Sequence, residues 1–170
     1  LQRRRHARID QPGAHAIDGD GDGLIDLRSS PKDAIFSVAN FLAVHGWQKG
    51  GRVVLPVRLQ DPDTDVSPLV KAGIEPQLDA QTLARYGIHT EIPLDEQDRF
   101  TLVDLITPDE PTQYWLGLQN FYVITRYNRS SFYAMSVVDL GRTIRLALEA
   151  HQEMSKLSEP PKAKARRQRK

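Results

Sequence analysis

The sequence contains no cysteine among its 170 residues. This absence excludes a disulfide scaffold, a metal site built from thiolates and a cysteine nucleophile. The five histidines also lack the spacing of a zinc site, so we do not expect a zinc enzyme. The cellular compartment stays open, because the lack of cysteine alone does not fix it.

Long hydrophobic runs are also missing. No apolar stretch approaches the roughly 20 residues that a helix needs to span a bilayer. The chain begins at Leu1 rather than at a methionine, and its start shows no signal-peptide pattern. We therefore expect a fragment of a longer protein or a processed product.

The net charge of +1 conceals an acidic middle between two basic ends. Four arginines lie within the first eight residues, and six basic residues lie within 162–170. The region between them holds all 22 acidic residues against the other 13 basic ones, a net charge of −9. The basic tail lacks interleaved aromatics and any nucleic-acid-binding motif. We predict a solvated tail and no nucleic-acid partner, with anionic cell-wall polymers or lipid headgroups as the alternative.

Helical and extended patterns alternate along the chain. Ser30 before Pro31 predicts a helix from 31 to about 45, with Gly46 as its stop. A longer helix is predicted over 131–150, and short strands with turns between the two predict an antiparallel β module. The predicted organisation is an irregular stretch (1–15), an acidic loop with a helix (16–47), a small β domain (48–119), a segment with the long final helix (120–152) and a disordered basic tail (153–170).

The strongest local signal is the acidic loop DGDGDGLID at 18–26, which matches the first nine positions of an EF-hand calcium loop. Asp18, Asp20 and Asp22 occupy the first three ligand positions, and the carbonyl of Leu24 is the fourth ligand. Calcium prefers hard oxygen ligands, and three carboxylates this close repel one another without a cation. Position twelve is a serine instead of the usual glutamate, so Asp33 could supply the last carboxylate if the loop is longer. The alternative is a solvated acidic turn.

Two groups of segments resemble one enzyme family. The first comprises AIDGDGDGLIDL at 16–27, PKDAI at 31–35, SVAN at 37–40 and HGW at 45–47. The second comprises YW at 114–115, NFYVITRYNRS at 120–130 and YAM at 133–135. In this order they resemble the C-terminal part of a lytic murein transglycosylase of the B type (glycoside hydrolase family 103), over about 16–148. The resemblance implies an α+β fold: part of a lysozyme-like helical core, an EF-hand-like calcium loop with a late aspartate as ligand, and a small inserted antiparallel β domain.

The resemblance also implies a chemistry. In this family, one glutamic acid protonates the oxygen between N-acetylmuramic acid and N-acetylglucosamine, and the muramic C6 hydroxyl then attacks its own anomeric carbon. The product is a 1,6-anhydro sugar. The family's catalytic glutamate precedes a serine upstream of the calcium loop. The seven glutamates of this chain all lie downstream of the loop, and none precedes a serine. We therefore predict no catalytic residue in this chain and no glycan cleavage by the chain alone.

The remaining substrate site is implied by the second group of segments. By resemblance, Tyr127, Asn128 and Tyr133 line the cleft that binds the peptidoglycan glycan strand. Tyrosine rings can stack on sugars, and an asparagine amide can both donate and accept hydrogen bonds. The alternative is that these residues only cap and pack the final helix. The resemblance further implies a periplasmic protein, associated with the outer membrane only through an N-terminal anchor outside this sequence, and we expect a monomer. A second interpretation is a non-catalytic calcium-dependent glycan-binding or interaction module.

Overall fold

The computed structural model describes residues 15–158 of the chain. In this range the helices are α1 Pro31–Val44, α2 Ser67–Lys71, α3 Ala80–Arg85, α4 Gln119–Tyr127 and α5 Ser131–Ser158. The strands are β1 Val54–Pro56, β2 Arg58–Leu59, β3 Ile88–His89, β4 Thr101–Leu105 and β5 Gln113–Gly117. The predicted N-terminal stretch up to residue 14 and the predicted tail from residue 159 lie outside the described residues. The chain divides into two units, Leu1–Ala134 and Met135–Lys170.

The strands of the first unit pair antiparallel, as predicted. Three of them form one sheet in the order β1-β5-β4, and β2 pairs with β3 in a second, two-stranded sheet. Pro56 lies in β1, at the edge of the larger sheet, where the missing proline N–H removes no internal ladder bond.

The main apolar core lies in this sheet region and joins the sheets to α2 and α3. Its buried members are Leu55, Val66, Leu69, Leu83, Ile88, Phe100, Leu102, Leu116 and Leu118. Phe100 and Leu102 share one face of β4, as the alternation in the sequence predicts. Asp79 accepts a hydrogen bond from the backbone N–H of Thr82 at 2.7 Å and thereby caps α3.

Helix α1 buries a polar side and exposes its apolar one. It begins after Ser30, whose hydroxyl accepts the Asp33 N–H at 3.2 Å, as predicted. Asp33 and Ser37 are buried, whereas Ile35 is 66% exposed and Val38 60% exposed. The apolar face predicted from the helical spacing therefore forms but is not covered by the described residues.

Helix α5 continues to Ser158, beyond the end at about residue 150 that the sequence predicts. The predicted disordered tail therefore starts too early, at 153. Residues 153–156 combine good helix formers with an ion pair between Glu153 and Lys156 at 2.7 Å, which stabilises the last turns. No helix in the described part of the chain has the length and apolar character that crossing a membrane requires.

Candidate functional site

The three loop aspartates come together in the structure. Carboxylate oxygens of Asp18, Asp20 and Asp22 all lie within 4.8 Å of one another. Oxygen ligands that surround a calcium ion at about 2.3–2.6 Å lie at most about 5 Å apart. The carboxylates therefore have the spacing and the hard-oxygen chemistry that fit calcium.

The loop backbone folds around these carboxylates. The backbone N–H groups of Gly21 and Gly23 donate to the two carboxylate oxygens of Asp18, at 2.6 and 2.7 Å. Both glycines have positive φ, 79° and 85°, a region that costs little only for glycine. The Leu24 N–H donates to Asp22 at 2.8 Å, while the Leu24 side chain is exposed. The alternation of aspartate and glycine is therefore what lets the chain turn this tightly.

Asp33 is not among the carboxylates that lie within 4.8 Å of one another, and its side chain closes the loop. One of its oxygens accepts the Gly19 N–H and the other accepts the Asp26 N–H, each at 2.8 Å. These two backbone donors hold the pKa of Asp33 below its usual value, against the opposing effect of burial. The carboxylate predicted as a late metal ligand thus joins the two ends of the loop to the first turn of α1.

The segment before the loop is fixed along the polar side of α1. Ser37 accepts the Ile17 N–H at 2.9 Å, and the Asn40 amide donates to the His15 carbonyl at 2.9 Å. A Cβ at Gly19 would lie 2.7 Å from the Lys32 carbonyl oxygen, so this position admits only glycine without displacement. The buried polar residues of α1 therefore position the acidic loop.

An exposed aromatic pair lies where α4 ends and α5 begins. The rings of Tyr127 and Tyr133 stack with centroids 6.0 Å apart and an interplanar angle of 26°. Tyr127 is 59% exposed and Tyr133 is 36% exposed. We call this pair the tyrosine ledge, and its exposed ring faces are the kind of surface on which a sugar ring packs.

Helix α1 supports the ledge from one side. The Phe41 ring meets Tyr127 edge-on at 5.8 Å and lies against the His45 ring at 4.0 Å. His15 contacts both of these rings, at 5.7 and 5.2 Å. Sequence reasoning missed Phe41 and His45 as part of this site. Their i, i+4 spacing on a helix places them on one face, but no sequence signal pairs that face with Tyr127.

Asn128 forms the turn between the two helices. Its side-chain oxygen accepts the Ser130 N–H at 3.1 Å, and the Ser130 hydroxyl accepts the Tyr133 N–H at 3.2 Å. The structure thus brings all three predicted glycan-contacting residues to one exposed junction. The capping alternative accounts for the bonds of Asn128 and Ser130, but it gives no reason for the exposed ring faces of Tyr127 and Tyr133.

The chain resembles proteins of known type. The model of the family described as "Transglycosylase SLT domain" matches residues 12–142. Membrane-bound lytic murein transglycosylase B of Escherichia coli (strain K12) is 41% identical over 135 residues, which are 78% of this chain and 35% of that protein. This chain thus spans about a third of the length of that curated relative.

Two solved structures share the fold. Escherichia coli lytic transglycosylase Slt35 in complex with calcium is 39% identical with a TM-score of 0.66, over 79% of this chain and 41% of that one. Pseudomonas aeruginosa SltB3 in complex with NAG-anhNAM-pentapeptide is 32% identical with a TM-score of 0.59, over 74% of this chain and 33% of that one. The matched region holds both the acidic loop and the tyrosine ledge, and the chain belongs to the transglycosylase SLT domain family.

Proposed function

We propose that this chain is the C-terminal part of the catalytic domain of a peptidoglycan lytic transglycosylase, which cleaves the MurNAc–GlcNAc bond and forms 1,6-anhydro-MurNAc. In this proposal the chain supplies a calcium loop, a small inserted β domain and one wall of the glycan cleft. Membership in the family supports the reaction class, and the named relatives are lytic transglycosylases.

The single observation that carries the proposal is the tyrosine ledge. Two stacked and exposed rings, Tyr127 and Tyr133, offer faces on which a sugar ring can pack. Asn128, between them in the chain, keeps its amide N–H groups for an N-acetyl carbonyl while its oxygen holds the turn. We assign these three residues to the binding of the glycan strand.

The acidic loop is proposed as a calcium site with a structural task. Asp18, Asp20, Asp22 and the Leu24 carbonyl would be ligands, and the loop carboxylates have the spacing that calcium needs. Asp33 is proposed as the fifth ligand. Each of its carboxylate oxygens accepts one backbone N–H and retains a second lone pair for a metal ion. A bound ion would offset the mutual repulsion of the carboxylates and fix the entry into α1.

We also propose that this chain alone does not cleave glycan. A general acid needs a raised pKa, which enzymes obtain by burying the carboxyl group. The glutamates of the described region, Glu75, Glu91, Glu96, Glu110, Glu149 and Glu153, are all exposed. None of these residues has the environment of the family's catalytic acid.

A product assay tests the proposal. Purified peptidoglycan is incubated with this chain and, in parallel, with a longer chain extended by its natural upstream region. We expect anhydro-muropeptides only from the extended chain. Their release by this chain alone would overturn the claim of a missing acid. Their absence with a folded extended chain would contradict the enzyme assignment.

The second candidate is a non-catalytic module that binds glycan in a calcium-dependent way. The absence of any glutamate followed by serine favours it. An extended chain whose upstream region lacks that pair, and which binds glycan without product, would support this candidate. For either function we propose a monomer located in the periplasm, where peptidoglycan lies.

A further inference from the structure

A polar cleft of about 790 Å³ lies in the first unit, away from the acidic loop. Its volume is within the range of about 300–1,000 Å³ that is usual for ligand sites. Its charged and amide-bearing walls include Arg52, Arg99, Asp95, Asp98, Gln48 and Gln119. The tyrosine ledge does not contribute to this cleft, so the proposed sugar contacts leave it unexplained.

Part of the cleft lining is the loop that follows α1, which a buried side chain holds in place. The Asn120 amide, fully buried, donates to the carbonyls of Gln48 and Gly51 at 2.8 and 2.9 Å, and its oxygen accepts the Gln48 N–H at 2.8 Å. These bonds fix the loop that carries Arg52. Arg52 is exposed and forms no salt bridge within the described part of the chain, so its guanidinium is open to a ligand.

Another part of the cleft lining comes from the turn formed by residues 95–99. The Arg99 guanidinium donates from one nitrogen to the carbonyls of Glu96, Gln97 and Asp98, at 3.2, 3.4 and 2.9 Å. The Asp95 side chain accepts the Gln97 N–H at 2.9 Å. Arg99 is therefore partly used in holding the turn, and Arg52 is the cation that remains for a ligand.

The lining combines opposite charges with amides. A simple anion would be repelled by Asp95 and Asp98, and a simple cation would be repelled by Arg52 and Arg99. Glutamine side chains can pair with peptide groups, because each carries both a donor and an acceptor. Pro76, Pro93 and Leu94 add an apolar patch suited to small methyl side chains. This mixture fits a short peptide that carries both carboxylate and ammonium groups.

Helix α4 connects the cleft to the tyrosine ledge. It begins at Gln119, in the cleft wall, and ends at Tyr127, in the ledge. At 1.5 Å per residue these ends lie about 12 Å apart, and four extended residues span about 13–14 Å. On the basis of the proposed glycan site, we propose that the cleft binds the peptide stem attached to a glycan whose sugars lie on the ledge.

The test uses two ligands, NAG-NAM-pentapeptide and the same glycan without its peptide, with the chain labelled for amide NMR. We expect both ligands to shift the backbone signals of Tyr127 and Tyr133. Only the peptide-bearing ligand should also shift those of Gly50, Gly51 and Gln97. The peptide should raise the affinity about tenfold, the gain expected from one charge-assisted contact.

Arg52→Ala should remove this gain and leave the binding of the peptide-free glycan unchanged. Arg58→Ala is the matched control, since Arg58 is exposed and lies outside the cleft. The inference is overturned if the peptide adds no affinity, or if its gain survives Arg52→Ala. The proposed function fails separately if the peptide-free glycan shifts no signal at the ledge. Shifts at the cleft with both ligands would also overturn the inference, because the sugars would then occupy it.

Discussion

A single buried amide, Asn120, determines the position of the loop between α1 and the sheet. It makes three hydrogen bonds to backbone groups of Gln48 and Gly51, more than 65 residues earlier in the chain. A neutral hydrogen bond contributes about 1 kcal/mol net, and a buried group left without its partner costs about 1–3 kcal/mol. One side chain therefore fixes the entrance to β1 and one wall of the polar cleft.

We predict that Asn120→Ala lowers the free energy of unfolding by about 2–4 kcal/mol, because it removes three bonds and leaves backbone groups buried. Urea unfolding followed by circular dichroism measures this loss. Asn128→Ala is the matched control, since Asn128 is exposed and its amide oxygen accepts a local hydrogen bond from the Ser130 N–H. Equal losses for the two variants would contradict the assigned role of Asn120.

The acidic loop gives a second prediction at this scale. Calcium at a hundredfold excess over its Kd should stabilise the chain by about 2.7 kcal/mol, a rise in Tm of about 5–10 °C. Asp18→Ala combined with Asp22→Ala should abolish the rise. Asp61→Ala combined with Asp63→Ala removes the same charge from another exposed turn, and this variant should retain the rise in Tm. The absence of any rise in the parent chain would reject the site.

Among the elements, the short helix α3 depends on its cap. The pKa of Asp79 is lowered, chiefly by the backbone N–H of Thr82 and then by the Thr82 hydroxyl. Because this pKa is lower in the folded state, the ionised carboxylate makes its full contribution to stability at pH values above the unfolded-state pKa of about 3.9. That contribution disappears as the pH falls through the lower folded-state pKa.

We therefore predict that Asp79→Ala lowers the urea midpoint at pH 7 and that its difference from the parent shrinks below about pH 4. Asp79→Asn keeps a capping oxygen without the charge, so its midpoint should lie between the other two at pH 7. Urea titrations from pH 7 to pH 3 measure both effects. A difference between parent and Asp79→Ala that grows on acidification would contradict the sign.

Two glycines provide a matched test of packing within the elements. At Gly117 in β5, an added Cβ would lie 2.6 Å from the buried Phe121 ring, whereas at Gly141 in α5 it would meet nothing within 4 Å. We predict that Gly117→Ala destabilises by about 1–3 kcal/mol through overpacking. Gly141→Ala should stabilise α5 by about 1 kcal/mol through its higher helix propensity. Thermal unfolding measures both, and effects of the same sign would refute the explanation.

At the scale of the whole molecule, apolar surface remains uncovered within each unit. In the first unit the large exposed side chains include Ile35, Phe36 and Val38 on α1, and in the second unit they include Leu140, Ile144 and Leu148 on α5. Such exposure is expected of a chain that spans about a third of the length of its curated relative. Contiguous exposed apolar surface is unusual in a self-contained protein.

We predict that Ile35→Gln combined with Val38→Gln changes the stability of this chain by less than about 1 kcal/mol, since both side chains are already exposed. The same variant should bind less of an apolar dye such as ANS. Leu83→Ala is the control, because Leu83 is fully buried and its truncation should cost about 2–5 kcal/mol. A loss comparable to that of Leu83→Ala would mean that the α1 face is covered in solution.

Local signals were predictable because they depend on neighbouring residues. The Ser30 and Asp79 caps follow from side-chain oxygens that can accept a backbone N–H at a helix start. The edge position of Pro56 follows from the N–H that proline lacks. The prolines and basic residues that follow predict an end of α5 at about residue 150, whereas the helix continues to Ser158, and Glu153 and Lys156 pair along its last turns. The role of Asp33 in holding Gly19 and Asp26 was also missed, because loop closure by a side chain leaves no spacing signature.

The acidic loop, the main helices and the antiparallel strands could be predicted from the sequence, because each depends on short-range spacing. The family could be predicted because its characteristic segments occur in the same order along this chain. The packing of the elements sets which side of α1 is buried, the contact between Phe41 and Tyr127, and the presence of Arg52, Asp95 and Asp98 in the lining of one cleft. These pairings join residues far apart in the chain. They depend on how the elements pack, which no local pattern encodes.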